Sequence, residues 1–97
     1  KKDDGTLIID LHADEVLETT AGMNSADILH YQMDIFKKTM AENKKNKGQK
    51  IIFIHGKGEG VLRQALIHEL NYRYKNCTYQ DASFQEYGYG ATQVTIR

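Results

Sequence analysis

The sequence predicts an α/β fold: a two-layer sandwich in the order β-α-β-α-β-β, with a mixed four-stranded sheet carrying two helices on one face. Three observations predict it. Residues Thr6 to Leu11 alternate apolar and polar, which is the period of a half-buried strand. Lys50 to Ile54 is a continuous apolar run suited to the middle of a sheet. Between them lies one long stretch with helical periodicity, and a strand–helix–strand unit of this length implies a right-handed crossover joining parallel strands.

In the first strand Leu7, Ile9 and Leu11 take one face, and Ile8, Asp10 and His12 the other. Asp10 and His12 are thereby expected on one side. Asp14 to Gly22 is short, acidic and weakly patterned, and reads as a loop with at most one helical turn. Asn24 followed by Asp27 has the form of a capping box. The helix behind it runs to about Asn43, with Leu29, Met33, Phe36 and Met40 on one apolar face and Ile28 and Ile35 beside it. Lys37, Lys38, Lys44 and Lys45 sit toward its C-terminal end, where cations suit the dipole, and Asn46-Lys47-Gly48 reads as its stop. A second helix from about Gly60 to Tyr74 carries Leu62, Leu66 and Leu70 at spacing four. Cys77 to about Phe84 is the third strand, Gln85 to Gly90 a turn, and Ala91 to Ile96 the fourth strand.

Composition narrows the function. The 97 residues make one domain with one modest core, covering 6–96 with a loop insertion at 13–23. The two ends read as those of a domain cut from a longer protein. No apolar run approaches the roughly 20 residues that span a bilayer, so no membrane partner is expected. Lys1-Lys2-Asp3-Asp4 leads straight into a strand without a signal-peptide pattern. The single Cys77 excludes an internal disulfide and a multi-cysteine zinc site, and fits a reducing, cytoplasmic setting as a half-buried strand residue. Net charge is zero, which argues against an unspecific polyanion binder. The distribution is uneven: residues 1–36 hold two basic and eight acidic side chains, and residues 37–75 hold ten basic and three acidic. Such asymmetry marks either a nucleic-acid face or a solvated surface.

The chemistry gathers at one sheet edge. A parallel pair places its ligand site at the carboxyl ends of its strands. Here those ends are Asp10-Leu11-His12 and His55-Gly56-Lys57-Gly58-Glu59-Gly60. Glycines let the backbone turn tightly and approach a ligand, and the helix that follows offers N–H groups and a dipole to an anion. The GxxxxGK[ST] spacing of a P-loop is missing. A carboxylate beside an imidazole fixes its tautomer and favours its protonated form. A histidine that titrates near neutrality can take a proton from a ribose 2′-hydroxyl or from water. His55 would supply the partner acid or bind phosphate as a cation, and Lys57 and Arg63 would hold the phosphate. This set fits cleavage of a phosphodiester. Two histidines and a carboxylate are also metal ligands, but no further ligand has motif spacing, so no metal residues are assigned. His30 and His68 fall inside helices and read as surface or half-buried residues. Tyr72, Tyr74, Tyr79, Tyr87 and Tyr89 gather in the C-terminal part, as base-stacking residues or as strand and rim residues.

Three stretches, taken in order, resemble the Smr (small MutS-related) domain, which occurs alone and at the C-terminus of MutS2-type proteins. Ile9-Asp10-Leu11-His12 is similar to that family's LDLH. Ile54-His55-Gly56-Lys57-Gly58, followed by Gly60, Leu62 and Arg63, is similar to its IHGKG segment. Gly88-Tyr89-Gly90-Ala91-Thr92 is similar to its closing GxGxT. The resemblance implies a fold like the C-terminal domain of translation initiation factor three. It implies binding of DNA or RNA, or docking on the ribosome, with endonuclease (nicking) activity in many members. It matches Asp10 and His12 to the catalytic positions of nuclease members. It extends the nucleic-acid-binding set to Gly56, Lys57, Gly58, Gly60, Arg63, Gly88, Gly90 and Thr92. A divalent Mg or Mn ion is a candidate cofactor, and other domains of a parent protein are candidate partners. The chain departs from the family at Ala13, where members carry glycine, at the acidic segment Asp14 to Gly22, and at Tyr87, where many members have the first glycine of a double-glycine turn. Some Smr domains lack the first pair and only bind; this chain retains it. A protein-interaction domain, using the tyrosine-rich turn and the acidic loop, is the third reading.

Overall fold

A computed structural model describes residues 5–12, 21–56, 60–82 and 90–97. Its elements are β1 (Leu7–Asp10), α1 (Ser25–Glu42), β2 (Lys50–Ile54), α2 (Val61–Tyr72), β3 (Thr78–Asp81) and β4 (Ala91–Thr95). The sheet order is β1-β2-β4-β3. β1 and β2 are parallel, with Asp10 opposite Ile54, and the remaining pairs are antiparallel. The expected α/β sandwich with its mixed four-stranded sheet is therefore the observed one. The acidic loop and the turn before β4 lie outside the described residues, apart from Ala21, Gly22 and Gly90.

Alternation along β2 divides the apolar residues between two faces. Ile51 and Phe53, with Val94 of β4, meet Met33, Phe36 and Met40 of α1 and Leu62, Leu66 and Leu70 of α2 in one core. Both helices thus cover the same face. Phe36 is its centre, fully buried, with its ring edge-on to Phe53 at 4.9 Å and to Tyr74 at 5.8 Å. Such edge-to-face pairs add about 1 kcal/mol to the burial itself. Ile52, Ile54 and Ala91 form a smaller cluster on the opposite face, with Ile8 and Ala82 against it.

The capping box at the start of α1 is present: the Asn24 side chain accepts from the Asp27 N–H at 2.8 Å, and Asp27 accepts from the Asn24 N–H at 3.3 Å. The helix ends at Glu42 with Asn43 as its C-cap, as expected from the sequence. Asn43 ends it by donating its side-chain amide to the Thr39 carbonyl at 2.9 Å while being 8 % exposed. A buried amide can satisfy a helix's last carbonyls as a glycine turn does. Gly48 then serves the next turn, its N–H bonding the Ile96 carbonyl at 2.7 Å. β3 is shorter than expected, and all four of its residues are exposed. It is a polar edge strand, which discourages pairing with another sheet. No helix among the described residues is long and apolar enough to cross a membrane.

Candidate functional site

The carboxyl ends of β1 and β2 meet as the sequence predicts. The ladder continues one residue past β1, with the Leu11 N–H bonding the Ile54 carbonyl at 2.9 Å. This brings Asp10 and His12 beside His55 and Gly56, more than forty positions away in the chain.

Asp10 Oδ1 accepts two bonds from His12, from its backbone N–H at 2.9 Å and from ring Nδ1 at 2.7 Å. The side chains are about a quarter and a third exposed, so the pair is reachable from solvent. A carboxylate can only accept, so Nδ1 carries the proton and Nε2 is the basic nitrogen of the neutral ring. The other edge of the ring packs against Gly56. A Cβ at that position would stand 2.8 Å from His12 Nε2, and Gly56 has φ +85°, a conformation that other residues rarely adopt. Gly56 is therefore required on two counts, backbone conformation and contact with His12.

His55 faces a different set of partners. Its Nδ1 lies 3.2 Å from the Gly56 carbonyl, and its Nε2 lies 3.0 Å from Thr92 Oγ1. A carbonyl can only accept, so Nδ1 donates to it and Nε2 accepts from the threonine hydroxyl. Burial lowers the His55 pKa below its ordinary value of 6.5; the Gly56 carbonyl and Asp81 oppose this, while Arg63 and His12 add to it. The lowered pKa favours the neutral ring at neutral pH, and the bonds in place tie the β2 end to β4. Thr92, 1 % exposed, is likewise an inward residue. Gly90 completes the junction: its carbonyl accepts from the His55 and Gly56 N–H groups, each at 3.1 Å. A Cβ there would come within 2.6 Å of the Gly56 carbonyl oxygen and 3.0 Å of the His55 ring, so only glycine fits.

The start of α2 opens on the same edge. Gly60 is its N-cap, in the left-handed conformation, and contributes no side-chain bond to the first turn. Among the described residues no side chain caps this start, and helix N-termini favour anions through their N–H groups and dipole. Arg63, one turn in, is 3.0 Å from Asp81 Oδ1 on the edge strand, and both are largely exposed. An exposed pair of this kind is worth about 0–1 kcal/mol, so a phosphate can compete for the guanidinium. Lys57, Gly58 and Gly88, along with Tyr87 and Tyr89, lie outside the described residues. Among the described residues no three His, Cys, Asp or Glu side chains gather closely enough to hold a metal ion.

One positioning residue escaped the sequence. Gln32 of α1 donates its side-chain amide to the Leu11 carbonyl at 2.7 Å, between Asp10 and His12. Its signal was a polar side chain at position i+4 from Ile28 and i−4 from Phe36, on the apolar face of the helix. Asp81, the partner of Arg63, gave no signal, because only the sheet order brings them together. Three of the tyrosines and the two helical histidines have local partners. Tyr74 packs on Phe36, Tyr79 donates to Asn71 at 2.9 Å, Tyr72 stacks on His68, and His30 is an exposed neighbour of Asp34.

The family model of the Smr domain matches residues 21–97, most of the chain. The chain belongs to the Smr domain family. The match begins after Asp10 and His12, and it is the pairing of β1 with β2 that attaches this pair to the Smr domain's central motif. Neither a curated protein nor a solved structure gives a significant match to the chain.

Proposed function

We propose that this Smr domain binds nucleic acid and nicks it as an endonuclease acting on RNA or structured DNA. The observation that carries the reading is the Asp10–His12 bond of 2.7 Å at the edge where Gly56 and the start of α2 converge. His12 acts as general base, with Nε2 taking the proton of a 2′-hydroxyl or of a water as that oxygen bonds to phosphorus. The bond from phosphorus to the leaving oxygen breaks, and that oxygen takes a proton from the imidazolium or from solvent. Asp10 holds the ring in the required tautomer and stabilises the imidazolium that forms. The first-turn N–H groups of α2, with Arg63 released from Asp81, receive the phosphate and its developing negative charge. His55, with Thr92 and Gly90, keeps the β2 end in place beneath it, a positioning part rather than a proton-transfer one. The spacing of Lys57 and Gly58 within the glycine segment fits the same cradle.

The test is incubation of the chain with labelled single-stranded RNA and with branched or supercoiled DNA, in EDTA and separately in Mg²⁺ or Mn²⁺. Cleavage is expected for the parent chain and is lost in His12→Ala, while binding and the circular dichroism spectrum persist. Equal loss of binding and cleavage in that variant contradicts the general-base assignment. A second reading is a non-catalytic module that docks on nucleic acid or on a ribosome, through the same helix start and Arg63 but without proton transfer. It predicts an affinity that falls steeply with salt and yields no product.

A further inference from the structure

Beside the Asp10–His12 pair lies a cleft of about 380 Å³ between the first turns of α1 and α2. Its walls are aliphatic: Ile28 and Leu29 from α1, Val61 and Leu62 from α2. Polar groups sit along it at Gln32 and Arg63, and Gly56, on which the His12 ring packs, forms part of its lining. Val61 leaves 54 % of its surface in solvent, an apolar side chain held open on the first residue of the helix that lacks a side-chain cap. A helix start serving only as an anion site has no use for an aliphatic pocket, and a buried core seam does not keep a valine half in water.

Resting on the nucleic-acid reading above, we propose that this cleft receives one unpaired base of the strand whose phosphate lies at the start of α2. The apolar walls take the faces of the base, and the Gln32 amide and Ser25 hydroxyl suit its polar edge. Continuity through Gly56 places that base next to the phosphodiester presented to His12. A paired, stacked base cannot enter without being flipped out, so the cleft selects single-stranded or looped substrate over continuous duplex. Among the described residues the lining holds no Phe, Tyr or Trp, and its aromatic group is the His55 imidazole, so the contact is mainly hydrophobic burial and its share of affinity is modest.

The experiment uses the chain in EDTA with a short single-stranded RNA bearing one 2-aminopurine, and the same strand in a blunt duplex. The single strand should bind about tenfold more tightly than the duplex, with a change in 2-aminopurine emission as the base leaves its neighbours. Val61→Ser and Ile28→Ser should each weaken the single strand about fivefold and leave the duplex unchanged. Val61 is exposed, so its variant keeps the fold, which circular dichroism checks. Equal affinity for the two forms, or single-strand binding untouched by both variants, overturns the base cleft while leaving nucleic-acid binding in place. Failure to bind either form overturns the nucleic-acid reading itself.

Discussion

At the scale of single residues, the site is built from contacts that admit little variation. Asp10 binds its neighbour two positions on through both backbone and ring, an Asx-type turn at the point where β1 ends. Gly56 and Gly90 are fixed by what would collide with a Cβ, the His12 ring in one case and a backbone carbonyl in the other. His55 is the residue to which the structure adds the most detail. Its position in a glycine-rich strand end suggests an acid or a phosphate-binding cation, yet its two ring nitrogens bond inward. That arrangement has a pH signature. Burial makes the folded-state pKa lower than the unfolded value, so the folded protein binds fewer protons in that window. The contribution of the neutral ring to stability is complete above about pH 6.5 and declines as pH falls toward the folded pKa. Urea titrations between pH 5 and 8 should show His55→Gln less stable than the parent at the upper end, with the gap narrowing at the lower end. A gap that is constant with pH, or widens as pH falls, contradicts the neutral assignment.

At the scale of elements, each helix is set by its own first turn. Asn24 closes a reciprocal cap on α1, and Gly60 leaves α2 without one. The difference is consistent with their parts: α1 supplies structure, through Gln32 and the core stripe, and α2 supplies the end that faces the candidate ligand. Asn24→Ala should cost about 1 kcal/mol of stability by urea denaturation, with faster hydrogen exchange confined to the first turn of α1. Unchanged stability would mean that packing alone fixes where α1 begins. The capping residues were legible in the sequence because a cap acts over three or four positions. The end of α1 near Asn43 was legible too, but its cause was not: Asn43 caps the helix through a buried side-chain amide, and burial is a property of the packed chain. The bounds of β3 were uncertain for a similar reason. Its four residues are all exposed and carry no apolar alternation, so only pairing with β4 defines them.

At the scale of the whole molecule, one apolar core does two jobs. It pins both helices to one face of the sheet, and it aims both helix starts at the carboxyl ends of the parallel strands. Phe36 joins these parts, touching β2 through Phe53 and the segment just after α2 through Tyr74. Phe36→Ala should cost about 3–5 kcal/mol, a large share of the stability of a domain this size, measured as a fall in the midpoint of thermal or urea unfolding. A cost near that of a surface change would mean that the core collapses into the space. The sequence by itself determined the element order, the shared face of Asp10 and His12, and the meeting of the two motifs at one edge. Those follow from periodicity, the length of the crossover and the rule for parallel strands, which are local or topological. Tertiary structure alone decided that Arg63 pairs with Asp81, that Gln32 bonds the backbone between Asp10 and His12, and that His55 turns inward to Thr92. These partners stand 18, 21 and 37 positions apart, and no spacing in the chain encodes them. They arise because packing removes water from particular polar groups, and each such group must then find its hydrogen bond within the fold.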